Sequence, residues 1–496
     1  MVIVLQLCMC GAVQLELTPE EQLFGWVRSY GGRISGLTLM TQSNGMRGLF
    51  TTNDFTEGSI MLVIPREVII HRGSALNITV NSKFVRFFQM LTPAIATPLE
   101  DKVILSLYLM FEKFYNRKDS IISPYLANLP EYDDFLHHLP RFWEASNIDL
   151  FETLKSGYRD WIDFTRAYKG QEHFAKSSIY PVVAGHYGAS DSERVVAQYV
   201  WASTIVNTRS WSSFPDTNAR FEWLNPVGSV MLVPIAEMLN HRSYSPGLSS
   251  VMNRTVDGGP YSVGYGVQAE KHHTAGDEIF LSYSPEDGHL SNIKLFILHG
   301  FVDPSPYYDC FTLHIVIRLA HMTSFAAEKK DLLKLFGIAT GAEGTDFLLR
   351  GSTLQGAETQ FPKHLMVAFR ILSVGSLADY ERGQSLALQE GDEKYENPWT
   401  ITNEFHATKL LLQKVHVLDK QYSTTVAEDQ VLEDQTGEML SQDDAALKKL
   451  GVSRESIRRK KKIIELRRRE HQVLHANSQV IERKWVSLLS SNARTF

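Results

Sequence analysis

VMLVPIAEMLNH, residues 230–241, is followed after a segment rich in Gly, Ser and Asn by AGDEIFLSYS, residues 275–284. The first block is a continuous apolar run that ends in two polar side chains, Asn240 and His241. The second is a Gly-Asp turn followed by an alternating strand pattern that ends at Tyr283. Strands that end in polar side chains are typical of a scaffold that presents those groups to a binding site. A buried strand followed by an ordinary loop is the alternative interpretation.

Other motifs accompany these two blocks in a fixed order along the chain. They are G-x-R-G-L-F at residues 45–50, S-P-Y-L-A-N-L-P at 123–130, V-P-I-A-E-M-L-N-H at 233–241, G-D-E-I-F-L-S-Y at 276–283, S-N-x-x-L-F-x-x-x-G-F at 291–301 and Y-S-T-T-V-A-E-D at 422–429. The series resembles the SET-domain protein methyltransferases. Within them it is similar to the class typified by the plant Rubisco large-subunit lysine methyltransferase, which carries a helical C-terminal substrate-binding domain.

Apolar periodicity and this resemblance together predict an α+β fold. Period-two alternation favours strands in residues 36–70, and three- and four-residue spacing favours helices in much of residues 99–220. We expect a SET domain at residues 18–302. It comprises the β part at 36–70, the helical part at about 99–220 and a C-terminal β part at 226–302 that contains the active site. The resemblance implies that the helical part is an insertion and that an all-α substrate-binding domain follows at residues 308–496.

Two helix starts are predicted from local sequence. Thr18 precedes Pro19 and two glutamates, a pattern typical of an N-cap followed by proline at the first helical position. Thr424 or Thr425, followed by acidic residues, is expected to cap a second helix, since acidic side chains suit the positive end of a helix.

The C-terminal part contains amphipathic patterns and strong basic runs. Residues 313–335 and 403–422 have the apolar spacing of amphipathic helices. RRKKK at residues 458–462 and RRR at 467–469 could form a nuclear-localisation or polyanion-binding patch. The alternative is a solvated helix face above an apolar stripe formed by Ile457, Ile463, Ile464 and Leu466.

Composition limits the class of protein and its partners. The chain has 496 residues and a net charge of −6 from 50 Lys and Arg and 56 Asp and Glu. This balance argues against nucleic acid as the main partner. The three cysteines, Cys8, Cys10 and Cys310, are too few for a disulfide framework or for Cys-rich zinc clusters. They favour a reducing compartment.

The N-terminal segment MVIVLQLCMCGAV is apolar but has no basic residue ahead of the apolar run. It therefore lacks the charged start of a signal peptide, and it is shorter than a membrane span. We expect a cytoplasmic or nuclear protein with no membrane partner, with organellar targeting left open.

The resemblance implies methyl transfer from S-adenosyl-L-methionine (AdoMet) to a protein side chain without a metal. Methyl transfer is an in-line displacement, so the protein must align an uncharged amine with the methyl carbon. Tyr283 occupies the family's catalytic position and is also expected at the substrate. Trp211 is expected to contact substrate. The residues expected to bind the donor are Arg47, Gly48, Leu49, Phe50, Arg209, Asn240, His241 and Phe301.

Several residues depart from the family pattern. SPEDGHL, residues 284–290, lengthens the segment between Tyr283 and Ser291-Asn292, and Ser284 replaces the usual glycine. Glu237 stands where the family commonly has aspartate. Trp211 favours a lysine substrate, since aromatic walls suit its aliphatic stem and cation. Histidine methylation by the same fold, and an inactive SET scaffold that binds proteins, are the two alternative functions.

Overall fold

The computed structural model describes thirteen stretches of the chain. These are residues 17–42, 46–94, 98–143, 145–212, 230–242, 248–252, 264–269, 271–283, 291–303, 309–317, 324–338, 344–350 and 362–492. The described residues fall into two compact units, the first within Met1–Tyr132 and Gln171–Ser282, the second within Asp133–Gly170 and Tyr283–Phe496. The expectations that concerned Cys8, Cys10, Gly45, the N-terminal segment and the insertion at 284–290 lie outside the described residues.

Helices and strands both contribute to the described part. The helices are α1 Pro19–Ser29, α2 Arg72–Ala75, α3 Ser82–Leu91, α4 Asp101–Phe114, α5 Ser123–Leu126, α6 Tyr132–His138, α7 Ser156–Phe174, α8 Tyr180–Tyr187, α9 Ser192–Arg209, α10 Asn292–His299, α11 Ala326–Leu335, α12 Lys363–Leu372, α13 Leu377–Ala387, α14 Glu393–Glu396, α15 Ile401–Asp419, α16 Val426–Ser441, α17 Asp444–Lys449 and α18 Arg454–Asn492. The strands are β1 Arg33–Ile34, β2 Leu37–Thr41, β3 Arg47–Thr51, β4 Ile60–Pro65, β5 Ile70–His71, β6 Trp211–Ser212, β7 Val230–Leu232, β8 Asn240–His241, β9 Leu248–Met252, β10 Gly264–Ala269, β11 Glu278–Leu281, β12 Cys310–Ile315 and β13 Thr345–Arg350.

Three small sheets organise the first unit. Their strand orders are β1-β4-β10-β9, β2-β3-β11-β8 and β5-β7-β6. Strands that are distant in sequence therefore become neighbours, and both blocks of the opening motif enter the same sheet through β8 and β11. The strands predicted in residues 36–70 are confirmed, and the α+β class is confirmed with them.

Helix α4 contributes a long buried segment to the first unit. Every residue of α4 from Ile104 to Glu112 is buried. The helix packs against α9, where Phe114 meets the Trp201 ring edge to face at 5.5 Å. Burial of each large apolar side chain contributes about 1.5–3 kcal/mol, so this helix pair is a major source of stability.

The second unit contains a pair of strands that the sequence did not predict. Strands β12 and β13 form an antiparallel pair in which Phe311, Leu313 and Ile315 point into the core. The prediction of one helix over 313–335 and of an all-α C-terminal part was therefore wrong in this detail. Residues 310–315 form a strand because they alternate with a period of two and find a partner strand, and the described helix α11 begins at Ala326. The helix predicted over 403–422 is confirmed as α15.

Both predicted helix caps are present. Thr18 and Glu21 form a capping box at α1, with Pro19 in the first turn. Thr425 and Glu428 form another at α16, so the second threonine of the pair is the cap. Each box satisfies main-chain N–H groups that the first turn of a helix leaves unpaired.

In the basic C-terminal helix α18, the predicted apolar stripe is buried. Two arginines of the same helix are buried as well. Ile457, Ile463, Ile464 and Leu466 are all buried, which confirms the stripe. Arg467 is also buried and pairs through two nitrogens with Asp429. Arg469, likewise buried, pairs with Asp309. The expectation that these arginines are solvated was therefore wrong, because carboxylates from other elements compensate their desolvation.

Candidate active site

Three neighbouring strands bring separate sequence motifs together in the first unit. β11 pairs antiparallel with β3, with Ile279 opposite Leu49, and parallel with β8, with Phe280 opposite Asn240. The segment that contains Arg47 therefore lies on one side of β11 and the Asn-His pair on the other. Leu49 is 1% exposed, so only its main chain could reach a ligand.

The side chain of Asn240 links the three strands. Its Nδ2 donates to the Arg47 carbonyl oxygen at 3.1 Å and to Glu278 Oε1 at 2.7 Å. Gln42 donates to the other Glu278 oxygen at 2.6 Å. Both amide hydrogens of Asn240 are used within the protein, so it can offer a ligand its Oδ1 and its main-chain groups.

Gly48 leaves room for this arrangement, because a side chain at this position would displace the Glu278 carboxylate. A Cβ atom at this position would lie 2.3 Å from Glu278 Oε1 and 3.0 Å from Asn240 Nδ2. The absence of a side chain therefore lets the carboxylate and the amide reach the main chain of β3.

A strained turn precedes Glu237. Ile235 has φ 69° and ψ −50°, and the Ala236 N–H donates to the Pro234 carbonyl at 2.9 Å, which defines a γ-turn. A positive φ is unfavourable for a β-branched residue, so burial of the Ile235 side chain must help to hold it. The turn leads the chain from β7 into the short 3-10 segment that carries Glu237.

Glu237 is the centre of a buried polar group. Its Oε2 accepts a hydrogen bond from the Tyr125 hydroxyl at 2.7 Å, and its Oε1 lies 3.6 Å from Arg209 Nη1. Burial raises the pKa of Glu237 to about 7, although Arg209, Tyr125 and Arg47 each act to lower it. Burial and the nearby Glu237 carboxylate raise the pKa of Tyr125 well above its usual value.

Trp211 and Arg209 lie close in sequence but have different surroundings. Arg209 is the last residue of α9 and is paired with Glu237. Trp211 lies on β6, opposite Met231 on β7, and its ring meets that of Tyr265 edge to face at 4.9 Å. The aromatic pair gives Trp211 a fixed orientation.

Tyr283 belongs to a cluster of three rings in the second unit. Its ring centroid lies 4.9 Å from His299 and 6.3 Å from Phe301. Gly300 ends α10 with φ 79°, and a Cβ there would lie 2.4 Å from the His138 carbonyl oxygen. Only glycine combines that conformation with that close approach, and it turns the chain so that Phe301 joins the cluster.

Four residues that take part in the contacts described above were not predicted as site residues. Glu278 had a signal, since it is a carboxylate in an otherwise apolar strand, and Tyr125 lies within the P-Y-L motif. His299 directly precedes the Gly-Phe pair. Gln42 had no signal of its own, because its contact with Glu278 joins residues 236 positions apart.

The first unit offers groups that fit the amino-acid end of a methyl donor. A guanidinium suits a carboxylate, and Arg209 retains 20% of its side-chain exposure. Glu237 Oε1, which is buried and 3.6 Å from Arg209 Nη1, is an acceptor beside it. No group of three or more His, Cys, Asp or Glu that could hold a metal ion occurs within the described ranges. Across that same part of the chain, no helix has the length and apolar character needed to cross a membrane.

Comparisons with known proteins agree with the motifs. A family model described as Rubisco LSMT substrate-binding matches residues 320–474. The N-lysine methyltransferase setd6 of Salmo salar is 23% identical over 297 residues, which cover 58% of this chain and 58% of that protein. The chloroplastic ribulose-1,5 bisphosphate carboxylase/oxygenase large subunit N-methyltransferase of Nicotiana tabacum is 21% identical over 299 residues, 60% of this chain and 53% of that protein. The match thus spans little more than half the length of these relatives.

Solved structures are similar over almost the whole chain. The SET domain of LSMT bound to lysine and AdoHcy superposes with a TM-score of 0.65 at 18% identity, covering 95% of this chain and 92% of that one. Rubisco LSMT bound to AdoMet gives a TM-score of 0.64 at 16% identity, covering 95% and 93%. The chain therefore shares the fold of the LSMT structures, and residues 320–474 match the substrate-binding domain of the same class, in agreement with the resemblance expected from the motifs.

Proposed function

We propose that this protein is an AdoMet-dependent methyltransferase that modifies the side-chain nitrogen of a lysine in a non-histone protein. Relatives named as lysine methyltransferases and neighbours bound to AdoMet, AdoHcy or lysine support this activity. We further propose that the protein acts in the cytoplasm or nucleus. Its activity requires no metal, and it has no membrane or nucleic-acid partner.

The observation that carries the proposal is the position of Asn240. Its side chain joins the Arg47 main chain to Glu278, so three motifs that are far apart in sequence form one structure. An ordinary buried strand would not need a polar side chain there, nor a glycine at position 48 to make room for it.

Each proposed role follows from the chemistry of the side chain. Bound AdoMet supplies an electrophilic methyl group on a sulfonium. Arg209 binds the donor carboxylate, and the main chain of residues 47–50 lies along the donor. Tyr283 orients the amine and the methyl group through its hydroxyl. Weak C–H···O contacts from the methyl group to this hydroxyl fix the direction of the methyl group but add little to the affinity for the donor. A desolvated channel lowers the pKa of the lysine amine and so provides the uncharged nucleophile.

The aromatic pair in the first unit favours lysine over histidine. Trp211 is held by Tyr265, and aromatic faces stabilise both the aliphatic stem and the charged end of a lysine. The Trp211 indole has only an N–H donor, so it lacks the acceptor that would select an imidazole N–H. The C-terminal part matched to the substrate-binding family is proposed to bind the rest of the substrate protein.

Methyl transfer can be tested without knowing the substrate. Purified chain is incubated with fractionated cell extract and AdoMet that carries a radiolabelled methyl group, and labelled proteins are identified by mass spectrometry. We expect label on lysine. Label on histidine would support the alternative substrate, and a protein that neither binds AdoMet nor transfers methyl groups would contradict the enzymatic proposal in favour of a scaffold.

A further inference from the structure

Glu237 is fully buried, and its two carboxylate oxygens have different partners. Tyr125 donates to Oε2, while Oε1 has no hydrogen-bond partner within the described residues. Arg209 Nη1 is 3.6 Å from Oε1, which allows electrostatic attraction but is too long for a hydrogen bond. The ion pair with Arg209 is therefore the contact that stabilises Oε1, and a group that competes for Arg209 acts directly on the buried carboxylate.

The groups that act on Glu237 come from three elements packed around it. Arg209 ends α9, Arg47 begins β3, and Tyr125 lies on α5. The two arginines are among the residues proposed to bind the methyl donor. Glu237 is therefore positioned to influence the donor site although it need not touch the donor.

We infer that Glu237 is a positioning residue that holds Arg209 while the site is empty and releases it, by taking up one proton, when the donor carboxylate arrives. This inference rests on the proposed function, since it requires AdoMet as the ligand. The only covalent change is one O–H bond, formed on the Glu237 carboxyl by a proton from solution.

Electrostatics gives the direction of this coupling. Burial already raises the pKa of Glu237 to about 7, and the positive charge of Arg209 is the largest influence that opposes burial. A donor carboxylate beside Arg209 offsets that charge, so the pKa of Glu237 must rise further when AdoMet binds. AdoMet binding above about pH 7 should then take up a proton, whereas at pH 5.5 the carboxyl is already protonated.

Isothermal titration calorimetry of the full chain with AdoMet measures this proton directly. Titrations in two buffers with different ionisation enthalpies, at pH 5.5, 7.5 and 8.5, give the number of protons taken up for each AdoMet bound. We expect on the order of half a proton more for the native chain than for Glu237→Gln at pH 7.5. The two should agree at pH 5.5. The donor's own amino group, which titrates near pH 8, contributes equally to both proteins and cancels.

A second variant keeps the inference testable if Glu237→Gln fails to fold. Tyr125→Phe removes the hydrogen bond to the ionised carboxylate, which raises the pKa of Glu237 and should shift the proton-uptake profile to higher pH. The inference would be overturned if Tyr125→Phe left the proton-uptake profile unchanged, or if the native chain and Glu237→Gln took up equal numbers of protons. In either case, AdoMet binding by the native chain would still support the proposed function. A native chain that binds no AdoMet would overturn both.

Discussion

Asn240 donates a hydrogen bond at 2.7 Å to Glu278, a residue on the strand from which the chain continues to Tyr283. The Asn-His pair is thus fixed by a carboxylate that lies five residues before the proposed catalytic tyrosine. Because the contact crosses between parallel strands, a change at either residue should alter both the stability of the sheet and the affinity for AdoMet.

Replacement of the two residues singly and together should reveal this coupling. We expect Asn240→Ala and Glu278→Gln to be non-additive by about 1–2 kcal/mol in denaturant unfolding, and Asn240→Ala to weaken AdoMet binding by at least about tenfold. Asn116 and Glu112 form a control pair, since the Asn116 amide also donates to a glutamate, at 3.1 Å. Their variants should show coupling in stability with unchanged AdoMet affinity. Strict additivity at 240 and 278 would refute the proposed link.

Gly48→Ala should disrupt the same structure from the opposite side. The new methyl group would meet Glu278 Oε1 at 2.3 Å, so the carboxylate or the strand must move. We expect a loss of about 1–3 kcal/mol in stability and a loss of AdoMet binding, measured by thermal unfolding and calorimetry. Gly185→Ala in α8, where no atom lies within 4 Å, is the control and should be neutral or stabilising. Equal behaviour of the two variants would contradict the steric explanation.

Tyr283→Phe should abolish most methyl transfer and leave the fold intact. The ring can keep its contacts with His299 and Phe301, whereas the hydroxyl that orients the methyl group is lost. We expect a fall in kcat of about 100-fold or more with little change in Tm or in AdoMet affinity. Tyr30→Phe, at a residue with 47% exposure, is the matched control. Full activity of Tyr283→Phe would refute the role of the hydroxyl.

Asp160 should make the stability of the protein depend on pH. Burial raises the pKa of this carboxyl to about 6, and its Oδ2 has no hydrogen-bond partner in the part of the chain that the structure describes. A raised pKa means that the native state disfavours ionisation, so stability is full below about pH 4 and falls as pH rises to about 6. Asp160→Asn should therefore match the native protein near pH 4 and exceed it by about 1–3 kcal/mol at pH 7.5.

Denaturant unfolding at the two pH values measures that difference. Asp163→Asn, in the same helix α7, changes an exposed carboxylate whose pair with Arg166 is a surface ion pair. Such pairs contribute little, so this control should leave the pH profile unchanged. An Asp160→Asn variant that is less stable than the native protein at pH 7.5 would show that the carboxylate is better compensated than burial implies.

Features that depend on a few neighbouring residues could be predicted from the sequence. The caps at Thr18 and Thr425 are examples, because a capping box joins residues only three positions apart. The strand β12 was mistaken for helix since its partner β13 begins 30 residues after it ends, and residue spacing alone does not reveal such a pairing. The proposed site residues belong to motifs that are legible in sequence, although their mutual contacts are not.

The sequence alone determined the order of the motifs, the class of fold and the local caps. Short-range hydrogen bonds decide the caps, and the class of fold follows from side-chain periodicity together with the family resemblance of the motifs. The charge state and partners of buried groups were decided by the tertiary structure. Glu237 meets Tyr125 across 112 positions, and Arg467 meets Asp429 across 38. Desolvation and long-range packing govern such contacts, and they exist only once the chain has folded.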